Sequence, residues 1–115
     1  MPYFAIKTNQ DMNDTARANL LSSASAFVAE LLGKSEAYVM VAIESGLSIS
    51  FGASTHPTAY VVLHSIGLPA ERCNEFAAKI SQFVQAMLQV PKERVFIDFT
   101  DLHRDRFAWN GKTFA

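Results

Sequence analysis

Apolar positions along this chain follow two rhythms, one short and strand-like, the other with the period of a helix. Pro2-Tyr3-Phe4-Ala5-Ile6-Lys7 is a short segment rich in aromatic and branched residues and reads as a strand, with proline tolerated at its first position. Thr8-Asn9-Gln10-Asp11 is a turn, and Asn13 and Asp14 both qualify as N-caps for a helix starting there. Ala16, Leu20, Ala24, Phe27, Val28 and Leu31 then recur on one helical face, and Gly33 supplies the stop. Tyr38 to Ile43 is a continuous apolar run of strand length, which predicts burial on both faces. After Ser45-Gly46, the residues Leu47, Ser48, Ile49, Ser50 and Phe51 alternate strictly and predict a short strand with one buried face.

The pattern then repeats. Ser54-Thr55-His56-Pro57 is a loop, Thr58 to Ser65 a strand, and Ile66-Gly67-Leu68-Pro69 leads into a second helix. That helix carries Phe76, Ile80, Phe83, Val84, Met87 and Leu88 as its stripe and closes at Pro91. Val95 to Phe99 is a strand, and Asn110-Gly111 is a hairpin signal in the tail from Arg106 to Ala115. The halves match at an offset of about 56 residues, with Tyr3–Ile6 opposite Ala59–Val62 and Tyr38–Val41 opposite Arg94–Ile97. Each half is a strand–helix–strand unit with a right-handed crossover. The expected fold class is α/β in the α+β sense: two pseudo-symmetric units forming a four-stranded sheet, both helices on one face, plus short strands. The other face would be bare and apolar enough to need a cover, for which further subunits are the natural candidates.

Composition narrows the function classes. A chain of 115 residues, 50% apolar and 18% charged, suits one packed domain over residues 1–115 and argues against disorder. A net charge of -1 without a Lys/Arg cluster gives no footprint for nucleic acid. The single Cys73 excludes an internal disulfide framework, and His56, His64 and His103 have no metal-ligand spacing. No apolar run approaches the ~20 residues of a membrane span, and no signal peptide is recognisable, so cytoplasmic is the default, with export by another route left open.

One position invites chemistry. Proline at position 2 permits removal of Met1, which leaves a secondary amine at the chain start. An α-amino group titrates at about 7.7–8.0, and apolar surroundings or a nearby cation lower that value. A base poised near neutrality suits proton abstraction alpha to a carbonyl. Taken alone, the same proline also reads as the mere start of an edge strand.

Pro2-Tyr3-Phe4, Thr8-Asn9, Leu32-Gly33-Lys34, His64-Ser65-Ile66-Gly67, Arg94-Val95-Phe96-Ile97 and Trp109-Asn110 with Thr113-Phe114-Ala115 stand in order and at suitable spacing. Together they resemble the macrophage migration inhibitory factor family of the tautomerase superfamily, over essentially the whole chain. The resemblance implies a homotrimer with pockets between subunits, no cofactor, and tautomerisation of phenylpyruvate-like keto/enol acids. It implies Pro2 as the catalytic base and Lys34 as the carboxylate ligand that also keeps the amine neutral. Ile66 would offer its backbone N–H to the carboxylate, and Tyr38, Phe107, Trp109 and Phe114 would form aromatic walls.

Departures from the family pattern set further expectations. Phe96 and Asp98 stand where the family places a Tyr and an Asn that reach the neighbouring subunit's pocket. Phe96 lacks a hydroxyl donor, and one such donor is worth ~3 kcal/mol where water is excluded. An uncompensated Asp98 would repel a carboxylate and raise the pKa of the base. Activity is therefore expected to be weaker or shifted in substrate. Thr58-Ala59-Tyr60-Val61 replaces a Cys-x-x-Cys segment, so thiol–disulfide exchange is not expected. Asp11-Met12 occupies the loop that would present an Arg to a receptor. The alternatives to a tautomerase are a secreted, receptor-binding cytokine mimic with vestigial catalysis and a trimeric scaffold.

Overall fold

In the computed structural model, which describes residues 1–115, helix α1 spans Asp14–Leu32. Of the two candidate caps it is Asn13 that acts, its Oδ1 accepting the Ala16 N–H at 2.8 Å. The helix ends at Gly33, whose φ of 64° lies in the left-handed region that glycine adopts at least cost. The N–H groups of Gly33 and Lys34 bond back to the carbonyls of Glu30 and Ala29, so Lys34 leaves the helix in a fixed direction. Helix α2 spans Cys73–Leu88 and is entered through a 3-10 turn at Ala70–Arg72.

Four strands form the main sheet: β1 (Tyr3–Thr8), β2 (Met40–Glu44), β3 (Ala59–Ile66) and β4 (Val95–Leu102). Their order is β2-β1-β3-β4. β1 pairs parallel with β2 and antiparallel with β3, and β3 pairs parallel with β4. A hairpin of β5 (Ala108–Trp109) and β6 (Lys112–Thr113) closes the chain, its turn at Asn110 and Gly111 with φ of 56° and 82°. Two positive φ values in a two-residue loop are what Asn-Gly provides.

Strand alternation decides which face is covered. Phe4, Ile6 and Thr8 of β1 and Ala59, Val61, Leu63 and Ser65 of β3 are buried. They form one core with Leu20, Ala24, Val28 and Leu31 of α1 and with Phe76, Ile80, Val84 and Leu88 of α2. The stacked rings of Phe27 and Phe83, 4.4 Å apart, join the two helices. Both helices thus lie on one face, as the sequence pattern predicts. The opposite face carries three rows in register: Met40-Tyr3-His64-Thr100, Ala42-Ala5-Val62-Asp98 and Glu44-Lys7-Tyr60-Phe96.

Four sequence expectations are corrected. The alternating segment Leu47–Phe51 forms no ladder: its one bridge joins Phe51 to Ser54, and Leu47 donates to the Thr8 carbonyl. Its apolar residues are half-buried while Ser48 and Ser50 are exposed, so the alternation reports burial, and a strand also needs a partner. The continuous run ending at Ile43 yields an edge strand rather than one covered on both faces, with Met40 66% exposed. Ala16 is exposed in the first turn of α1, and Met12 from the preceding loop packs against the core instead. The repeat also slips. Buried Phe4 corresponds to buried Val61 rather than to exposed Tyr60, one residue beyond the inferred offset, whereas Val41 and Ile97 match at that offset. The pairs Tyr3–Met40 and Tyr60–Phe96 are equivalent, so the first crossover is one residue longer than the second.

Full burial and partial exposure on one helix give a stability test. Ile80→Ala removes a side chain with no exposure and is expected to cost about 2–5 kcal/mol. Met87→Ala, at a residue 37% exposed, is expected to cost under about 1.5 kcal/mol. Urea midpoints at equal slope read both values.

Candidate active site

The start of β1 is held from both sides. Tyr3 pairs with Met40 on one edge and with His64 on the other, and the Pro2 carbonyl accepts the Met40 N–H at 3.0 Å. Pro2 itself is buried. A chain terminus is ordinarily frayed; this one is part of the sheet. It opens into a cavity of about 300 Å³ lined by Met1, Pro2, Tyr3, Tyr38, Met40, Phe107, Ala108 and Trp109.

Three separate elements supply the aromatic wall. Tyr38 comes from the 3-10 turn before β2, Phe107 from the residue before β5, and Trp109 from β5 itself. Tyr38 and Trp109 meet edge to face at 5.5 Å. Phe114 stacks on Phe107 at 6.0 Å and its N–H bonds to the Phe107 and Arg104 carbonyls, so it braces the wall from behind rather than lining the cavity.

Lys34 supplies the charge. Its Nζ donates to the Ile66 carbonyl at 2.7 Å, tying the end of α1 to the end of β3. The ammonium is close enough to act on the terminal amine. Partial burial, and then the Lys34 cation, hold that amine below its ordinary pKa. The amine present belongs to Met1; removing Met1 transfers it to Pro2, one residue deeper along β1. The structure therefore brings Pro2, Tyr38, Phe107 and Trp109 together around one cavity, with Phe114 against Phe107; Lys34 is held at Ile66 outside the lining and reaches the terminal amine through its charge.

Phe96 and Asp98 do not join this group within one chain. They lie on the uncovered face of β4, in register with Tyr60 and Val62 of β3. Phe96 is 59% exposed and packs on Phe51 with ring centroids 4.7 Å apart. Asp98 accepts a hydrogen bond from the Tyr60 hydroxyl at 3.3 Å, and its charge raises the Tyr60 pKa. Within one chain the partner of Asp98 is therefore the Tyr60 phenol rather than Lys34.

Tyr3, Met40 and Ala108 are lining residues that sequence reasoning missed. For Met40 a signal existed, since the strand running parallel to β1 must begin beside Pro2. Larger hollows elsewhere lack this chemistry; one of about 610 Å³ is an open trough between the helices beside Phe27 and Phe83. No cluster of His, Cys, Asp or Glu is arranged to hold a metal ion, and no helix is long and apolar enough to cross a membrane.

Two β-α-β units sharing one four-stranded mixed sheet, with both helices on one face, make the fold of the tautomerase superfamily. The chain belongs to the macrophage migration inhibitory factor family: the family model for macrophage migration inhibitory factor (MIF) matches residues 1–115. A macrophage migration inhibitory factor homolog of Brugia malayi is 40% identical over 116 residues and is covered, like this chain, in full. The structure of macrophage migration inhibitory factor from Trichinella spiralis superposes with a TM-score of 0.89 at 38% identity, over 97% of this chain and 99% of that one. The homologue from Prochlorococcus marinus gives a TM-score of 0.89 at 34% identity, over 98% and 99%. Membership supports tautomerase or cytokine-like function in general.

The Tyr60–Asp98 pair is open to direct titration. Asp98→Asn removes the negative charge that opposes phenolate formation, so the Tyr60 pKa should fall towards its ordinary value. Ultraviolet difference titration of the tyrosines, with Tyr60→Phe to assign the signal, checks the direction.

Proposed function

We propose that the chain, once Met1 is removed, is a cofactor-free keto–enol tautomerase of phenylpyruvate-like acids with the Pro2 amine as its general base. The observation that carries this reading is buried Pro2 at an aromatic cavity, next to a Met1 amine whose pKa is lowered by burial and by Lys34. A neutral secondary amine accepts a proton from the carbon alpha to the carbonyl. The C–H electron pair becomes the new carbon–carbon π bond, and the carbonyl π pair moves to oxygen. The prolinium then returns its proton to that oxygen, which gives the enol; the reverse sequence gives the keto acid. Lys34 binds the substrate carboxylate, helped by the backbone N–H of Ile66, and the rings of Tyr38, Phe107 and Trp109 take the aryl group. A cavity of about 300 Å³ is at the small end of ligand sites and suits an acid with one ring.

The assembly belongs to the same reading. The uncovered sheet face exposes 66% of Met40, 59% of Phe96 and 41% of Tyr60, and the extended segment Leu47–Phe51 has no strand partner. A homotrimer would cover this face and set Phe96 and Asp98 beside a neighbour's Pro2. Without a hydroxyl at position 96, less charge is stabilised on the substrate oxygen, so turnover is expected to be low.

Two measurements test the proposal. Enol-to-keto conversion of phenylpyruvate or hydroxyphenylpyruvate should vanish when Met1 is retained, with the fold intact, because the Pro2 nitrogen is then an amide. Lys34→Ala should raise KM, and it should move the acid limb of the kcat/KM profile to higher pH, since the cation that lowers the pKa of the Met1 amine would act in the same sense on the Pro2 amine. Equal activity with and without Met1 would place the base elsewhere. Separately, light scattering in dilute buffer should give about three times 12.7 kDa.

A further inference from the structure

We infer that Asp101 is a positioning residue for the terminal amine and the carboxylate site, acting through the turn after β3. This rests on the reading of Lys34 as the cation that tunes the amine and binds the substrate. The links run in sequence, the last of them electrostatic. Asp101 Oδ1 accepts the N–H groups of both Gly67 and Leu68, at 3.0 and 3.1 Å. These amides directly follow Ile66, whose carbonyl accepts from Lys34 Nζ at 2.7 Å. Lys34 in turn lowers the pKa of the terminal amine.

The turn needs such a clamp. Gly67 has a φ of 71°, the left-handed region, so the backbone reverses sharply just past the strand end. Two amides there are free of the sheet ladder, and a carboxylate oxygen satisfies both in a charge-assisted way. Asp101 can do so because it pairs in register with Ser65, while Ile66 pairs with Leu102, which brings the end of β4 under the loop. Lys34 is a long, flexible side chain with no carboxylate partner; the Ile66 carbonyl is its one anchor. Where that carbonyl points therefore fixes where the cation sits. The segment Ile66-Gly67-Leu68 also leads into α2 with Leu68 buried, so the clamp joins a core contact to the site.

The prediction separates turn geometry from charge. Asp101→Leu removes the acceptor, Asp101→Asn keeps an acceptor without the charge, and Gly67→Ala strains the same turn while leaving Asp101 intact, with open space where its Cβ would lie. The amine pKa is read without any substrate, from the pH dependence of its acylation by a small anhydride in the Met1-free protein, with Lys34→Ala as reference. Asp101→Leu and Gly67→Ala should each raise the amine pKa by a substantial part of the shift that Lys34→Ala produces, and Asp101→Asn should leave it close to the native value. With hydroxyphenylpyruvate, both turn variants should raise KM about tenfold with a smaller change in kcat. Should Asp101→Leu fail to fold, Gly67→Ala carries the test. A folded turn variant with native amine pKa overturns the inference, and so does an Asp101→Asn variant whose amine pKa falls below native, which would mark bare charge as the cause. Because acylation needs no turnover, a chain inactive on keto acids but with these pKa shifts would sink the tautomerase reading and keep the positioning role.

Discussion

Hydrogen bonding along both edges of β1 is the constraint on which the rest of this molecule depends. A strand at the start of a chain could sit at the sheet margin and fray; here β2 and β3 flank it, and the Pro2 carbonyl is taken by Met40. Pro2, just ahead of the strand, is thereby buried like a core residue. Under the proposed function, this burial is what would hold the Pro2 nitrogen against the aromatic wall. The same pairing fixes β3 antiparallel to β1, so the end of β3 comes back beside the amine and brings the Ile66 carbonyl with it.

Polar contacts around the loops preserve that arrangement. Thr8 Oγ1 donates to the Thr58 carbonyl and Thr58 Oγ1 to the Arg94 carbonyl, so the far ends of β1, β3 and β4 are tied by two buried hydroxyls. Arg94 donates to the carbonyls of Phe51, Ser54, His56 and Pro57 and lies over the Phe51 ring. No buried side-chain donor or acceptor is left without a partner. At the opposite end of the sheet Lys34 has no carboxylate partner and donates to the Ile66 carbonyl. The two ends divide the labour: Arg94 uses its charge to hold a loop, while Lys34 keeps enough field to act on its neighbour.

The sequence made the architecture legible because helices and strands carry different periods, and both helices, the four strands and the Asn-Gly hairpin are all present in that pattern. It misled where apolar identity had to stand for facing. Tyr60 looks like a buried strand residue and is exposed, which is why the inferred repeat is one residue short in its first strand. Leu47–Phe51 shows a perfect alternation, but alternation cannot report whether a neighbouring strand exists. The site was legible in part. Pro2 stood out for its position, and Lys34 and the aromatic residues through resemblance. The Tyr60–Asp98 bond and the Asp101 clamp were invisible, because each depends on register between strands about 35 residues apart, which no local pattern encodes.

The central place of the first strand has a consequence for how the chain is made. A polypeptide emerges from its amino end, yet β1 has no partner until β2 has appeared and lacks its second until β3 has followed. The strand formed earliest must wait through more than half of synthesis, a long-range closure of the kind that slows folding. In the finished fold Met1 is partly enclosed, as one of the residues lining the cavity. Late pairing thus leaves the residues ahead of β1 reachable for longer than the strands that close on either side of it.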